Sequence, residues 1–96
     1  MASLRIADRT FASRLLTGTG KYASAAQLRA VLDASGAEVV TMAIKRVRFD
    51  AADDGILSAL DRSRHLILPN TSGVRTAKEA IFAAELAREA LQTSWL

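Results

Sequence analysis

The 96 residues contain no cysteine, one proline, one histidine and five aromatic side chains. Each scarcity closes off a class of protein. Without thiols the chain has no disulfide framework and no thiolate chemistry, and a cytoplasmic setting is the natural expectation. A lone histidine with no His/Asp cluster argues against a metal site, and no cofactor is expected. No apolar run approaches the ~20 residues of a membrane span, and the N-terminus lacks the basic start and apolar centre of a signal peptide. The aromatics (Phe11, Tyr22, Phe49, Phe82 and Trp95) are too dispersed to form a stacking array for bases.

What is present describes an ordinary globular domain. Half of the residues are apolar and 24% are charged, a balance that folds rather than staying disordered. Net charge is +3 and the sequence pI is about 10.0. The thirteen Lys and Arg are scattered, and only Lys45, Arg46 and Arg48 form a tight group. A solvated basic surface accounts for this better than a nucleic-acid footprint does.

Short apolar runs alternate with helical periods. Leu4, Ile6 and Phe11 flank a polar turn at Ala7-Asp8-Arg9, which predicts an N-terminal hairpin. Arg14 to Thr17 reads as a short buried strand ending at Gly18. Ser24 and Gln27 form a capping box that opens a helix. Leu28, Val31 and Leu32 share its face, and Gly36 ends it. Val39 to Ile44 is a continuous run rich in β-branched residues, which predicts a strand buried on both faces. After Asp53 and Asp54 comes a shorter helical piece with Ile56, Leu57 and Leu60. Leu66 to Leu68 forms another buried strand, closed by Pro69-Asn70, since proline suits a strand end. Thr76 and Glu79 make a second capping box and open the longest helix, Ala77 to Leu91. Its expected stripe is Ala77, Ala80, Ile81, Ala84, Ala87 and Leu91. Six alanines in that span favour helix and allow close packing on a sheet. Ser94-Trp95-Leu96 reads as the start of one more strand.

Strands alternating with helices imply an α/β fold with parallel strands and right-handed crossovers. Two architectures fit: part of a (βα)8 barrel, or a small doubly wound sheet. A barrel takes about 250 residues, so the barrel reading makes residues 1–96 one incomplete domain: a hairpin plus about three βα units. It predicts strands in chain order, whereas the doubly wound sheet predicts a reversal about the first strand. An interrupted barrel leaves strand edges unpaired and apolar faces uncovered, so the chain alone is expected to be poorly stable, to aggregate or to pair with another copy.

Two loops follow strands and carry small polar residues. Gly18-Thr19-Gly20-Lys21 looks like a phosphate loop but fails on spacing. The first glycine of a Walker loop would fall at Leu15, Tyr22 follows the lysine, and the third position of G-x-G-x-x-G is Ala23. The remaining reading is a tight turn in which glycine supplies unusual backbone angles at a pocket edge. Pro69-Asn70-Thr71-Ser72-Gly73 is the second loop. Asn70 and Thr71 can hydrogen-bond a ligand, although the same residues make an ordinary turn and helix entry. Lys45-Arg46-x-Arg48 can hold a phosphate or carboxylate, or simply be solvated. His65 precedes its strand and so belongs to the end of the sheet that serves stability. Asp53, Asp54, Glu85 and Glu89 suit helix starts and exposed faces. No acid/base pair emerges.

Taken with their flanks, these loops resemble a family. "SRLLTGTGKY", "SGAEVVTMAIKRV" and "LILPNTSGVRTAKEAIFAAELAREAL" ending in "TSW" are similar to thiazole synthase of thiamin biosynthesis, over the whole chain in one register. The resemblance implies the N-terminal part of a (βα)8 barrel preceded by a short hairpin. It further implies condensation of 1-deoxy-D-xylulose 5-phosphate with dehydroglycine (2-iminoacetate), using sulfur from the thiocarboxylate of a sulfur-carrier protein, with the ketose held as an imine on lysine. It also implies a homo-oligomer in the full-length enzyme. The matched stretches are Gly18-Thr19-Gly20-Lys21-Tyr22, Lys45-Arg46-Val47 and Pro69-Asn70-Thr71-Ser72-Gly73. Gly18, Gly20, Asn70 and Thr71 are the expected substrate-side residues. Ala23, Arg48 and Lys78 depart from the family, which commonly has proline, asparagine and an acid there. The family's imine lysine is expected just beyond Leu96, and nothing aligns Lys21 or Lys45 with that role. The 96 residues alone are therefore expected to be inactive. Two rivals remain open from the residues: a non-catalytic assembly or carrier-binding module, and a small doubly wound regulatory domain.

Overall fold

The computed structural model describes residues 3–20, 22, 24–44 and 59–96. Lys21, Ala23, the Lys45-Arg46-x-Arg48 group, Asp53, Asp54, Ile56 and Leu57 lie outside the described residues. The order is β1 (Leu4–Ile6), β2 (Arg9–Phe11), β3 (Leu16–Thr17), α1 (Ala25–Ser35), β4 (Val39–Ala43), β5 (Leu66–Asn70) and α2 (Ala77–Leu91).

β1 and β2 form the expected hairpin, with Ile6 opposite Arg9 and Leu4 opposite Phe11. Only Ala7 and Asp8 turn the chain, and Arg9 is already strand. Ala7 has φ 54°, a left-handed value at the first turn position, where glycine is preferred. An alanine Cβ there costs about 1–2 kcal/mol. Ala7→Gly is accordingly expected to raise stability by about 1 kcal/mol, seen as a higher urea midpoint at unchanged slope. An unchanged or lower midpoint would count against the turn as drawn.

β3, β4 and β5 make an open parallel sheet in chain order. No reversal about the first strand occurs, contrary to the doubly wound expectation. The rows of the sheet are Leu16–Val39–Leu66 and Thr17–Val40–Ile67, followed by Thr41–Leu68, Met42–Pro69 and Ala43–Asn70. Four strand readings are corrected. β3 is only Leu16–Thr17 and is not buried: Leu15 and Leu16 are about half exposed, because neither core extends over them. β4 is covered fully on one face only, with Thr41 and Ala43 half-buried on the other. β5 runs on through Pro69 and Asn70, and Pro69 is buried inside the strand opposite Met42. Residues 92–96 form no strand.

α1 and α2 start where their caps predict. The Ser24 Oγ accepts from the Gln27 N–H at 3.1 Å, and Gly36, at φ 70°, returns its N–H to the Leu32 carbonyl. The Thr76 Oγ1 accepts from the Glu79 N–H at 3.1 Å. The Glu79 carboxylate reaches back one residue further than in the usual box and takes the Arg75 N–H at 2.6 Å. α2 spans the predicted residues, but its buried stripe is shifted. Ala83, Ala87 and Leu91 are buried, whereas Ala77 is exposed and Ile81 is 60% exposed. Ala83 and Ala87, with Leu91 after them, lie on the sheet, and Ile81, Phe82 and Leu86 point away.

Two cores result. Leu28, Leu32, Val40, Met42, Ile44, Ile67, Ala83, Ala87 and Leu91 fill the layer between sheet and helices. Each large side chain there contributes about 1.5–3 kcal/mol of transfer free energy. On the other face, Phe11, Val39 and Leu66 pack with Leu4, Leu68 and Trp95. The hairpin thus closes the N-terminal end of that face. The Ser13 N–H, donated to Glu38 Oε1 at 2.7 Å, ties its exit to the start of β4.

Candidate functional site

The face of the sheet away from the helices has two ends of different character. Near the strand N-termini it is apolar, sealed by Phe11 with Trp95 edge-on at 6.0 Å between ring centres. Toward the strand C-termini its residues, Leu68 apart, are small or polar. The row after Leu16–Val39–Leu66 carries Thr41 and Leu68, and the next carries Ala43 and Asn70. Gly18, two residues beyond Leu16, lies beside Thr41: a Cβ on Gly18 would stand 3.5 Å from Thr41 Oγ1. The Thr41 hydroxyl also donates, at 3.5 Å, to the Thr17 carbonyl. Gly18, Thr41 and Asn70 therefore occupy one face at one end of three adjacent strands.

Gly18 is not the strained turn residue expected. Its φ lies outside the left-handed region, and an added methyl group would make only ordinary contact. Its hydrogen matters for openness of the face, not for backbone angles. Gly20 is exposed at the following turn.

The second loop is built as two overlapping turns. Asn70 Oδ1 accepts the Ser72 N–H at 3.1 Å. The Thr71 carbonyl accepts the Val74 N–H at 3.2 Å, with Gly73 at φ 90°, the geometry of a type II turn that calls for glycine at its third residue. The carboxamide oxygen of Asn70 is thus committed to the turn. The chemistry it offers a ligand is that of an N–H2 donor, beside the hydroxyl of half-buried Thr71.

Thr41 was missed by the sequence reading, which absorbed it into an apolar run. The available signal was its parity: it is the one hydroxyl within that run, in step with Val39 and Ala43, and so faces away from the helices.

His65 sits at the opposite end. It is 3% exposed, and its Nδ1 accepts the Asp61 N–H at 3.0 Å, so its proton resides on Nε2. Burial pushes its pKa below the ordinary histidine value, helped by Arg64 and Arg29 and opposed by Asp61 and Asp33. Protonation must break the Asp61 bond. Because the folded pKa is depressed, the unfolded chain binds the proton first. Stability present above about pH 6.5 is therefore lost as pH falls, at no more than about 1.4 kcal/mol per pH unit. Urea midpoints between pH 7.5 and 5 should fall for the wild type and flatten in His65→Gln. Parallel curves would remove this role.

Among the described residues no group of three or more His, Cys, Asp or Glu gathers in metal-binding geometry. Nor is any described helix long and apolar enough to cross a membrane. The family model for "Thiazole biosynthesis protein ThiG" matches residues 5–96. The chain is 60% identical over 93 residues to the thiazole synthase of Photobacterium profundum, covering 97% of this chain and 36% of that protein. It is 56% identical over 93 residues to that of Cytophaga hutchinsonii, covering 97% of this chain and 36% of that protein. The thiazole synthase of Flavobacterium psychrophilum is 55% identical over 96 residues, 100% of this chain and 38% of that protein. The chain thus spans a little over a third of the length of the curated relatives it matches.

Proposed function

Because the chain belongs to the ThiG family of thiazole biosynthesis proteins, we propose that it supplies the first part of an enzyme that makes the thiazole phosphate of thiamin. The substrates are 1-deoxy-D-xylulose 5-phosphate and dehydroglycine, with sulfur delivered from a carrier thiocarboxylate. The fold of the whole enzyme is a closed (βα)8 barrel, cytoplasmic and homo-oligomeric, of which these residues form the hairpin and the first βα units.

What supports the reading is the arrangement of Gly18, Thr41 and Asn70 at the C-terminal ends of neighbouring parallel strands, the end where such folds keep their chemistry. Gly18 and Gly20 leave room for a ligand to approach the backbone. Asn70 and Thr71 offer donors to a phosphate or hydroxyl oxygen. At the other end of the face the Phe11–Trp95 contact is apolar and offers a ligand no polar group. Imine formation needs a neutral amine, which burial favours by disfavouring its charged form. None of Gly18, Gly20, Asn70 or Thr71 can act as that nucleophile.

Two measurements test this. Residues 4–96 grafted into the corresponding stretch of the Photobacterium profundum enzyme should give a chimera that forms thiazole phosphate. A folded but inactive chimera would sink the proposal. The 96-residue polypeptide alone, incubated with deoxyxylulose phosphate and borohydride, should keep its mass. A stoichiometric adduct would show that a lysine within it can form the imine.

A further inference from the structure

We infer that a cleft beside the Phe11–Trp95 contact, between the start of β5 and residues 92–95, binds a phosphate-type oxyanion. The cleft lies at the strand N-termini, the end of the sheet away from Gly18 and Asn70. The inference therefore does not depend on the chemistry proposed above.

The cleft has a volume of about 280 Å³. Its polar lining includes Arg9, Arg62, His65, Thr93 and Ser94, and Trp95 and the first residues of β5 form its apolar wall. Both guanidinium groups are placed there by uncharged partners. Arg62 donates to the Leu91 carbonyl at the end of α2. Arg9 lies over the Phe11 ring at 5.8 Å. Each contact engages only part of a flat, five-donor group and leaves N–H groups to give. Among the described residues no carboxylate lines the cleft.

Two further donors come from side chains that folding has taken out of water. His65 is 3% exposed and Thr93 9%. The Asp61 N–H occupies His65 Nδ1, which leaves Nε2 as a donor. The Trp95 N–H is accepted by Thr93 Oγ1 at 3.1 Å, which leaves the hydroxyl proton to give. Among the described residues neither proton meets an acceptor. Burial gives these protons little access to bulk water, so an acceptor in the cleft gains more from them than from exposed donors. The set of donors selects the occupant. Two positive charges favour a dianion. The donors also come from three parts of the chain: β2, the approach to β5, and the segment after α2. Convergence from several directions suits the oxygens of a tetrahedral phosphate better than the two oxygens of a planar carboxylate. Bound there, the ion ties the 92–95 segment to the hairpin and stabilises the folded chain by mass action.

Trp95 lines the cleft and is the sole tryptophan, so its emission reports occupancy. The 96-residue chain is titrated with inorganic phosphate, and separately with glycerol 3-phosphate, from about 0.01 to about 30 mM, with chloride holding the ionic strength constant. Emission should follow a saturating curve with Kd on the order of 1 mM, and the melting temperature should rise over the same range. Saturation by either probe supports the inference, and the ester shows whether the site takes monoesters as well as the free ion. Circular dichroism confirms that each variant keeps its helices. Arg9→Gln and Thr93→Val should each weaken binding at least ~5-fold, and Thr93→Ser, which keeps the hydroxyl, should stay within ~2-fold of the wild type. Arg9 is exposed, so Arg9→Gln carries the test even where Thr93→Val fails to fold. A wild type that answers neither probe beyond the chloride control overturns the inference, as it would if another part of the chain already filled the cleft. So does binding that Arg9→Gln leaves unchanged, the mark of an anion held elsewhere. None of these outcomes bears on the chimera, so the two proposals fail separately.

Discussion

Phe11→Ala is expected to lower the unfolding free energy by about 3–5 kcal/mol, the cost of emptying a full aromatic site. Phe11 is 1% exposed and is the hub of the second core, touching the β4 and β5 residues Val39 and Leu66 and packing edge-on with Trp95. Arg9 also lies over its ring at 5.8 Å and would lose that contact. A domain's whole stability is about 5–15 kcal/mol, so this loss takes a large share of it. Trp95 is the sole tryptophan, and its fluorescence reports the same site. Its emission should move to the red in Phe11→Ala before denaturant is added. A loss under ~1 kcal/mol with unchanged emission would mean that the hairpin does not seal the sheet.

Ala87→Glu should be comparably severe. Ala87 is 1% exposed in the core beneath α2, where the alanine seam lets the helix lie close on the sheet. A glutamate there brings an uncompensated carboxylate and excess volume together, for about 3–5 kcal/mol. The control is Ala90→Glu on the same helix, where the side chain is exposed and the expected change is within ~0.5 kcal/mol. Urea melts of the two variants should diverge widely. Similar midpoints would place the buried stripe of α2 elsewhere.

Elements specified by local chemistry were legible in the sequence. α2 could be bounded because Thr76 and Glu79 announce its start and uninterrupted helix formers carry it to Leu91. The Ser24 cap and the Gly36 stop of α1 were legible for the same reason. What failed depended on neighbours distant along the chain. Ile81 fits a helical stripe as well as Ala83 does, and only the close approach of sheet and helix selects the smaller residue. β3 looked buried because Leu15 and Leu16 are apolar, but neither core reaches over them. Pro69 looked like a terminator, yet the ladder to Met42 continues past it. For the candidate site, Asn70, Thr71 and Gly73 were visible as a loop after a strand. That Gly18 and Thr41 adjoin was not, because it depends on the register of β3 against β4.

The contact between Phe11 and Trp95 joins the first strands to the last residues described. On a translating ribosome, Phe11 leaves the exit tunnel long before Trp95 is made. The hairpin must therefore wait, with its aromatic surface open to solvent or chaperones, until nearly all of this sequence has emerged. Slow-codon or stalled-chain variants should reveal that interval as heightened chaperone dependence.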